Sequence, residues 1–274
     1  MLMFIILLIV AAILFLLLLY LYIVHGRKGH EGLNALRGFS YAHRGLHDQT
    51  RPENSMSAFR AALENGYGIE LDVHLLADGN LAVLHDFSLK RTAGEDVNIE
   101  DLTTEQLANY RLNGTGEPIP TFRQVLDLYQ GQAPLIVELK SNGRNYATLT
   151  EATCKMLDSY PGAYCLESFD PRCIYWLKKN RPDLIRGQLT ENFFKSETST
   201  LPWYLKLILS KQLMNFLITP DFISYKFSDR KTLGNFLARK VLGIQGVAWT
   251  LTSPQEHAEA VKEGWIPIFE NYKP

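Results

Sequence analysis

The chain has 274 residues, 46% of them apolar and 21% charged, and its 28 basic and 29 acidic side chains leave a formal net charge of −1. This balance sets up no polyanion-binding field, which argues against nucleic acid as a partner. Cys154, Cys165 and Cys173 are odd in number and match neither a disulfide framework nor zinc-ligand spacing, so they read as small structural residues.

No charged side chain falls in the first 24 residues, and the run from Leu2 to Val24 is almost purely apolar. About 20 such residues suffice to cross a bilayer. A signal peptide would open with basic residues, have a shorter apolar core and end at a small-residue cleavage site. This segment instead ends Tyr20-Leu21-Tyr22-Ile23-Val24, with two tyrosines suited to an interfacial aromatic belt. Residues 1–24 are read as a single transmembrane anchor, 25–37 as a connector and 38–274 as one domain. An uncleaved export signal is the alternative. Arg27, Lys28 and Arg37 all follow the span, and the positive-inside tendency then puts the domain in the cytoplasm.

Beyond the connector, short β-rich runs alternate with helical patterns. The first run is Phe39 to Ala42. A helix follows over Ser55 to Asn65, with Ala58, Phe59, Ala62 and Leu63 at helical spacing. Asn54 or Ser55 suits its N-cap and Gly66 its stop. The second run, Gly68 to Leu75, turns at Ala77-Asp78-Gly79-Asn80 into a return strand over Leu81 to Leu84. Phe87 to Pro120 reads as an irregular excursion with one helical turn near Thr104 to Tyr110. Later strands are expected at Leu135–Leu139, Ala163–Phe169, Ile185–Leu189, Phe222–Lys226, Val247–Leu251 and Pro267–Glu270. Helices fit at Thr121–Tyr129, Asn145–Tyr160, Pro171–Asn180, Leu201–Leu217, Asp229–Val241 and Pro254–Glu263. Eight strands in such alternation predict a (β/α)8 TIM barrel, an α/β fold, with a doubly wound open sheet as the alternative.

The polar residues then fall into a pattern. His43 and Arg44 close the first run. Glu70 and Asp72 share one face of the second, because side chains alternate with period two, and Glu138 and Lys140 repeat that spacing on the third. Barrel active sites lie at the C-terminal mouth, where a charge on an apolar strand is costly unless paired or metal-bound. Three carboxylates from two strands suit a hard divalent cation, Ca²⁺ or Mg²⁺, whereas no His/Cys set has zinc spacing. Salt-bridged strand ends are the alternative for these pairs. His43 and His85 could form an acid–base pair, and Arg44 and Lys140 could offset phosphate charge. His47 and His74 lie off the pattern, although His74 shares the parity of Glu70 and Asp72 and could reach the mouth to support the residues there.

At this point a resemblance becomes specific. His43-Arg44-Gly45, Pro52-Glu53-Asn54-Ser55 with Phe59 and Ala62, Gly68 to Val73, Asp78-Gly79, and Val83-Leu84-His85-Asp86 with Leu89 and Arg91-Thr92 together resemble the glycerophosphodiester phosphodiesterase family. Val137 to Lys140, Ser168-Phe169-Asp170 and Val247 to Thr250 extend the likeness over residues 38 to 272. The resemblance implies a TIM-barrel hydrolase, related to phosphatidylinositol-specific phospholipase C, that converts glycerophosphodiesters to glycerol 3-phosphate and an alcohol. It implies that Glu70, Asp72 and Glu138 hold Ca²⁺ or Mg²⁺, with His43 as general base and His85 as general acid. Arg44 and Lys140 would grip the phosphate, Trp249 would line the pocket, and the substrate's own glycerol hydroxyl would attack through a cyclic phosphate. The C-terminus departs from the family's Thr-Asp-x-Pro-like turn: Phe269-Glu270-Asn271-Tyr272 stands there, leaving the roles of Glu270 and Asn271 open.

The stretch from Leu201 to Leu217 is unusually apolar and aromatic, with Phe193-Phe194 before it. It reads either as a membrane-facing helix beside the mouth or as an ordinary barrel helix with a broad buried face. The first reading, with the anchor, favours substrates at the lipid bilayer and brings in a lysophospholipase D acting on lysophospholipids as an alternative function. A catalytically silent membrane scaffold is a further alternative, which the full set of histidines, carboxylates and cations argues against.

Overall fold

Eight parallel strands close on themselves in the computed structural model, which describes all 274 residues. The strands are β1 (Tyr41–His43), β2 (Gly68–Leu75), β3 (Leu81–Val83), β4 (Leu135–Leu139), β5 (Tyr164–Ser168), β6 (Arg186–Thr190), β7 (Phe222–Lys226), β8 (Gln245–Leu251) and β9 (Trp265–Phe269). The barrel runs β1-β2-β4-β5-β6-β7-β8-β9 and back to β1, while β3 pairs antiparallel with the end of β2. The expected α/β TIM barrel is therefore the fold.

The helices are α1 (Leu2–Ile23), α2 (Leu33–Leu36), α3 (Met56–Glu64), α4 (Lys90–Ala93), α5 (Thr104–Leu107), α6 (Phe122–Tyr129), α7 (Tyr146–Leu157), α8 (Pro171–Asn180), α9 (Trp203–Ser210), α10 (Asn215–Ile218), α11 (Leu233–Asn235) and α12 (Pro254–Lys262). Local chemistry sets several of their starts. Ser55 caps α3 by accepting from the Ala58 N–H, and Thr121 with Gln124 forms a capping box on α6. Asp170 caps α8 ahead of a proline at its first position.

The strands are buried on both faces, and the two parities do different work. Outward residues such as Ala42, Leu71, Val73, Val137 and Leu166 join the helices in the main core. Inward residues near the strand starts, Tyr41, Ile136, Cys165, Phe222, Val247 and Ile266, fill the lower barrel with Leu33 and Leu36 of α2. The connector thus plugs the foot of the barrel, and the Tyr41 hydroxyl donates to the Leu36 carbonyl at 2.8 Å. Higher up, the inward positions become Glu70, Asp72, Glu138, Glu167 and Ser224. Apolar packing below makes a floor for a polar mouth above.

Three regions depart from the expected pattern. The single helix expected over Leu201–Leu217 is two, because buried Gln212 and Asn215 break it. Gln212 takes φ +58 and donates to Asn235 at 2.7 Å, a bond a continuous helix would not permit. The helix expected over Asp229–Val241 begins as a 3₁₀ turn at Phe227–Asp229 and ends as a π turn at Phe236–Val241. The excursion from Phe87 to Pro120 carries a small core of its own, with Leu89, Ile99, Leu102, Leu107 and Ile119 packed on Leu84.

Helix α1 is the one long and apolar enough to cross a membrane. Its end is tied to the domain at the foot: the Arg27 guanidinium donates to Asp221 at 2.6 Å and to the Leu184 carbonyl at 2.8 Å, just before β7 and β6. One turn up, the Tyr20 hydroxyl donates to the Lys211 carbonyl at 3.1 Å, beside Gly234 at the start of α11, on the mouth side. The helix therefore climbs the flank of the barrel from foot to mouth. Leu2 to Leu19 continue beyond it, every one of them exposed.

Candidate active site

The mouth is assembled from strand ends and the turns after them. His43 is the last residue of β1, paired in register with Glu70. The chain then turns through Arg44 and Gly45, both left-handed at φ +55 and +82. A Cβ on Gly45 would lie 2.9 Å from Ala58, so glycine is required both by the turn and by the close approach of α3. Asn54, also left-handed, is buried, and its Nδ2 donates to Asp72 Oδ2 at 2.8 Å.

Glu70, Asp72 and Glu138 are 3%, 1% and 6% exposed, and one carboxylate oxygen of each lies within 4.8 Å of the others. Asp72 and Glu138 sit in register on adjacent strands. Lys140 Nζ lies 3.0 Å from Glu138 and 3.4 Å from Asp72, and Arg44 Nε lies 3.6 Å from Asp72. Burial pushes the Glu70 carboxyl well up, and the neighbouring Asp72 and Glu138 add to it. Burial likewise raises Glu138 against the pull of Lys140. For Asp72, Lys140, His85 and Arg44 outweigh burial and hold the carboxyl far below the usual range. Buried carboxylates this close repel unless a cation joins them. Asp72 Oδ1 is buried and makes no hydrogen bond, its nearest cation being the Lys140 ammonium at 3.4 Å, which leaves lone pairs for a metal cation. An all-oxygen donor set fits Ca²⁺ or Mg²⁺.

Each histidine is backed by a carboxylate. His43 Nδ1 is bonded to Glu270, leaving Nε2 on the side of Glu70, 3.9 Å away. Burial lowers the His43 pKa, and Glu270 partly opposes that shift. The same contact, against the effect of burial, brings Glu270 down to about 2. His85 Nδ1 lies 2.6 Å from Asp86, with Nε2 as the remaining ring nitrogen. A ring so held presents one nitrogen in a fixed tautomer for proton exchange.

These pieces are tied together by residues to which the sequence reading gave no role. Arg91 donates to Asp86 at 2.6 Å and to both oxygens of Glu53 at 2.8 and 2.7 Å, and Glu53 accepts from Arg44 at 2.9 Å. A continuous path of ion pairs therefore joins His85 to Arg44. Glu53, Asn54 and Arg91 belong to motifs quoted for the family resemblance, and that is the only signal that marks them. Glu270, left open by the sequence, is the partner of His43; Asn271 instead donates to Glu270 at 3.2 Å. His47 stands 3.8 Å from Glu270 on the outer side. His74 lies away from the carboxylates, fully buried under the excursion, 3.5 Å from Glu100 and edge-on to Phe87. Trp249 lines the opposite wall, edge-on to Phe169 at 5.7 Å, and Phe169 in turn meets Phe193 at 6.0 Å.

Residues 43–272 match the model of the Glycerophosphoryl diester phosphodiesterase family. A glycerophosphodiester phosphodiesterase of Caldanaerobacter subterraneus subsp. tengcongensis is 28% identical over 236 residues, which cover 81% of this chain and 89% of the relative. The Lysophospholipase D GDPD1 of Rattus norvegicus is 32% identical over 260 residues, covering 80% of this chain and 79% of the relative. Among solved structures, an Oleispira antarctica phosphodiesterase in complex with the product sn-glycerol-3-phosphate superposes with a TM-score of 0.71. That likeness covers 85% of this chain and 92% of the other at 20% identity, and it speaks to the fold.

Proposed function

The chain belongs to the glycerophosphoryl diester phosphodiesterase family and is a glycerophosphodiester phosphodiesterase, and we propose that it works with a divalent cation and two histidines while anchored in a membrane. The observation that carries this reading is the buried carboxylate cluster, in which Asp72 Oδ1 makes no hydrogen bond, set between two carboxylate-backed histidines. Glu70, Asp72 and Glu138 hold the cation, Ca²⁺ or Mg²⁺. When bound, it polarises a phosphoryl oxygen and offsets the charge that develops there. Arg44 and Lys140 bind the remaining phosphate oxygens, with Arg44 oriented by Glu53.

His43 Nε2 takes the proton of the substrate's glycerol hydroxyl as that oxygen attacks phosphorus. His85 protonates the departing alcohol, leaving a cyclic phosphate. In the second half His85 removes a proton from water and His43 returns one to the glycerol oxygen, so glycerol 3-phosphate leaves and both rings regain their starting state. Glu270 and Asp86 stabilise whichever ring carries the positive charge.

The anchor is α1. From Leu2 to Leu19, at ~1.5 Å per residue, it spans about 27 Å, close to the ~30 Å hydrocarbon core of a bilayer. Because α1 leaves the barrel on the mouth side, the mouth faces the membrane. The outward face of α9, with Trp203, Tyr204 and Leu207 at 70%, 50% and 38% exposure, sits at the interface. The basic residues after the span support a cytoplasmic domain, which a C-terminal reporter fusion checks.

The deciding experiment uses the full chain in phosphatidylcholine bilayer discs with glycerophosphocholine as substrate. Chelation is expected to abolish glycerol 3-phosphate release and added Ca²⁺ or Mg²⁺ to restore it. Turnover that survives chelation overturns the metal assignment.

A further inference from the structure

A groove of about 600 Å³ runs from the Trp249 side of the mouth along α9. We propose that this groove seats the acyl chain of a lysophospholipid, so that the enzyme draws single-chain lipid diesters from the bilayer; the proposal rests on the phosphodiesterase reading above.

The groove is apolar on its α9 side and carries Ser141, Asn142, Asp170 and Arg172 at its other edge. Phe169, Phe193, Leu201, Leu205, Ile208 and Met214 line it, and its volume falls within the ~300–1,000 Å³ typical of ligand sites. The charged groups at its edge are spent on one another: Ser141 Oγ donates to Asp170 at 2.8 Å, and Arg172 Nε donates to the same carboxylate at 2.8 Å. They have no call on a headgroup, so the wall that remains selects hydrocarbon.

The groove is continuous with the site. Phe169 belongs to the groove and also meets Trp249 at 5.7 Å, so a chain leaving the glycerol moiety passes directly from the mouth onto apolar surface. It is also continuous with the bilayer-facing side. Helix α9 turns Leu205, Ile208 and Leu209 into the groove and Trp203, Tyr204 and Leu207 outward. A helix apolar on both faces is one that protein or lipid covers, and no protein covers Trp203, Tyr204 and Leu207. It fits a wall with lipid outside and hydrocarbon inside. The exit of α1 on the mouth side brings that wall to the membrane, whereas a free glycerophosphodiester would have no use for it.

The test compares glycerophosphocholine with lysophosphatidylcholines of six, eight and ten acyl carbons, each below its micelle concentration, on the full chain in phosphatidylcholine bilayer discs. In the wild type, kcat/KM is expected to rise by about fourfold per methylene that enters the groove, the equivalent of about 0.8 kcal/mol. Leu205→Gln with Ile208→Gln is expected to flatten that rise while glycerophosphocholine hydrolysis persists. Leu205→Trp, which fills the groove with an apolar group, is expected to do the same and covers the case in which the glutamines unfold α9. Chain-length dependence that survives both variants reflects partitioning into the bilayer and overturns the groove. So does a change of oligomeric state in the variants with the lipid preference retained, which would make the groove a seat for a second copy of the chain. Hydrolysis of glycerophosphocholine alone overturns the groove and leaves the family activity standing; hydrolysis of neither substrate removes the reading beneath both.

Discussion

The two halves of the barrel mouth are built on opposite principles. On β1, β2 and β4 the inward residues are His43, Glu70, Asp72, Glu138 and the adjoining Lys140, nearly all buried and each held by an ion pair or hydrogen bond. On the β5, β6 and β8 side Phe169, Phe193 and Trp249, backed by α9, form an apolar wall of ring edges and aliphatic surface beside buried Glu167 and the Glu191–Lys226 ion pair at 3.2 Å. Charges in a low-dielectric site cost free energy and are kept where chemistry needs them preorganised. Apolar walls cost nothing to desolvate and discriminate by area alone. The comparison therefore separates turnover from substrate choice: damage to the charged half should slow every substrate, and damage to the apolar half should matter only to those with a hydrocarbon tail.

The largest effect expected is on the histidines. His43→Ala and His85→Ala should each lower kcat by roughly 10²–10⁴-fold, the usual worth of general acid–base catalysis. The loss should be equal on glycerophosphocholine and on an acylated substrate, with circular dichroism and thermal unfolding close to wild type. A loss confined to the acylated substrate would break the division between the halves, and near-normal rates would remove that residue from the acid–base pair.

A smaller effect, with a sign that tests the wiring, is expected at Glu270. Residues that orient a catalytic or metal-bound ring are typically worth about 10–100-fold, so Glu270→Gln should lower kcat/KM by that order. The variant also changes titration. His43 already sits below the ordinary histidine pKa because of burial, and Glu270 works against that shift. Removing the carboxylate charge lowers the His43 pKa further, so the base stays unprotonated to a lower pH. The acid limb of the pH profile of kcat/KM should therefore move to lower pH even as the plateau falls. An acid limb that stays in place or moves to higher pH would show that Glu270 does not act through His43.

How much of this was legible in the sequence follows the same division. Glu70, Asp72, Glu138 and Lys140 could be placed on one face because a strand alternates with period two whatever it packs against. Ser55, Thr121 and Asp78-Gly79 announced their caps and turn through local chemistry alone. Pairings that depend on the closed barrel could not be read. Glu270 meets His43 across the last strand junction, 227 residues away in the chain, and Arg91 meets Glu53 from 38 residues away. The break in the 201–217 helix depends on Gln212 reaching Asn235, again a long-range bond. The apolar half suffered most, because hydrophobic periodicity states that a face is buried without saying whether protein, ligand or lipid covers it.

That ambiguity sets the smallest effect and the sharpest use of it. Trp203 on the outward face of α9 is 70% exposed and meets Tyr204 edge-on at 6.1 Å. Trp203→Phe should change stability by no more than about 0.5 kcal/mol, as exposed substitutions do, and should leave glycerophosphocholine hydrolysis alone. What it should change is fluorescence. The other three tryptophans, Trp176, Trp249 and Trp265, are partly or fully buried in the domain, so Trp203 is the one placed to meet acyl chains. In bilayer discs containing brominated lipid, wild-type emission should be quenched and the Trp203→Phe emission should not. Equal quenching in both would turn the outward face of α9 away from the bilayer. The apolar half of the mouth would then open to solvent, its groove would lose its source of lipid, and the two halves would differ in polarity without differing in purpose.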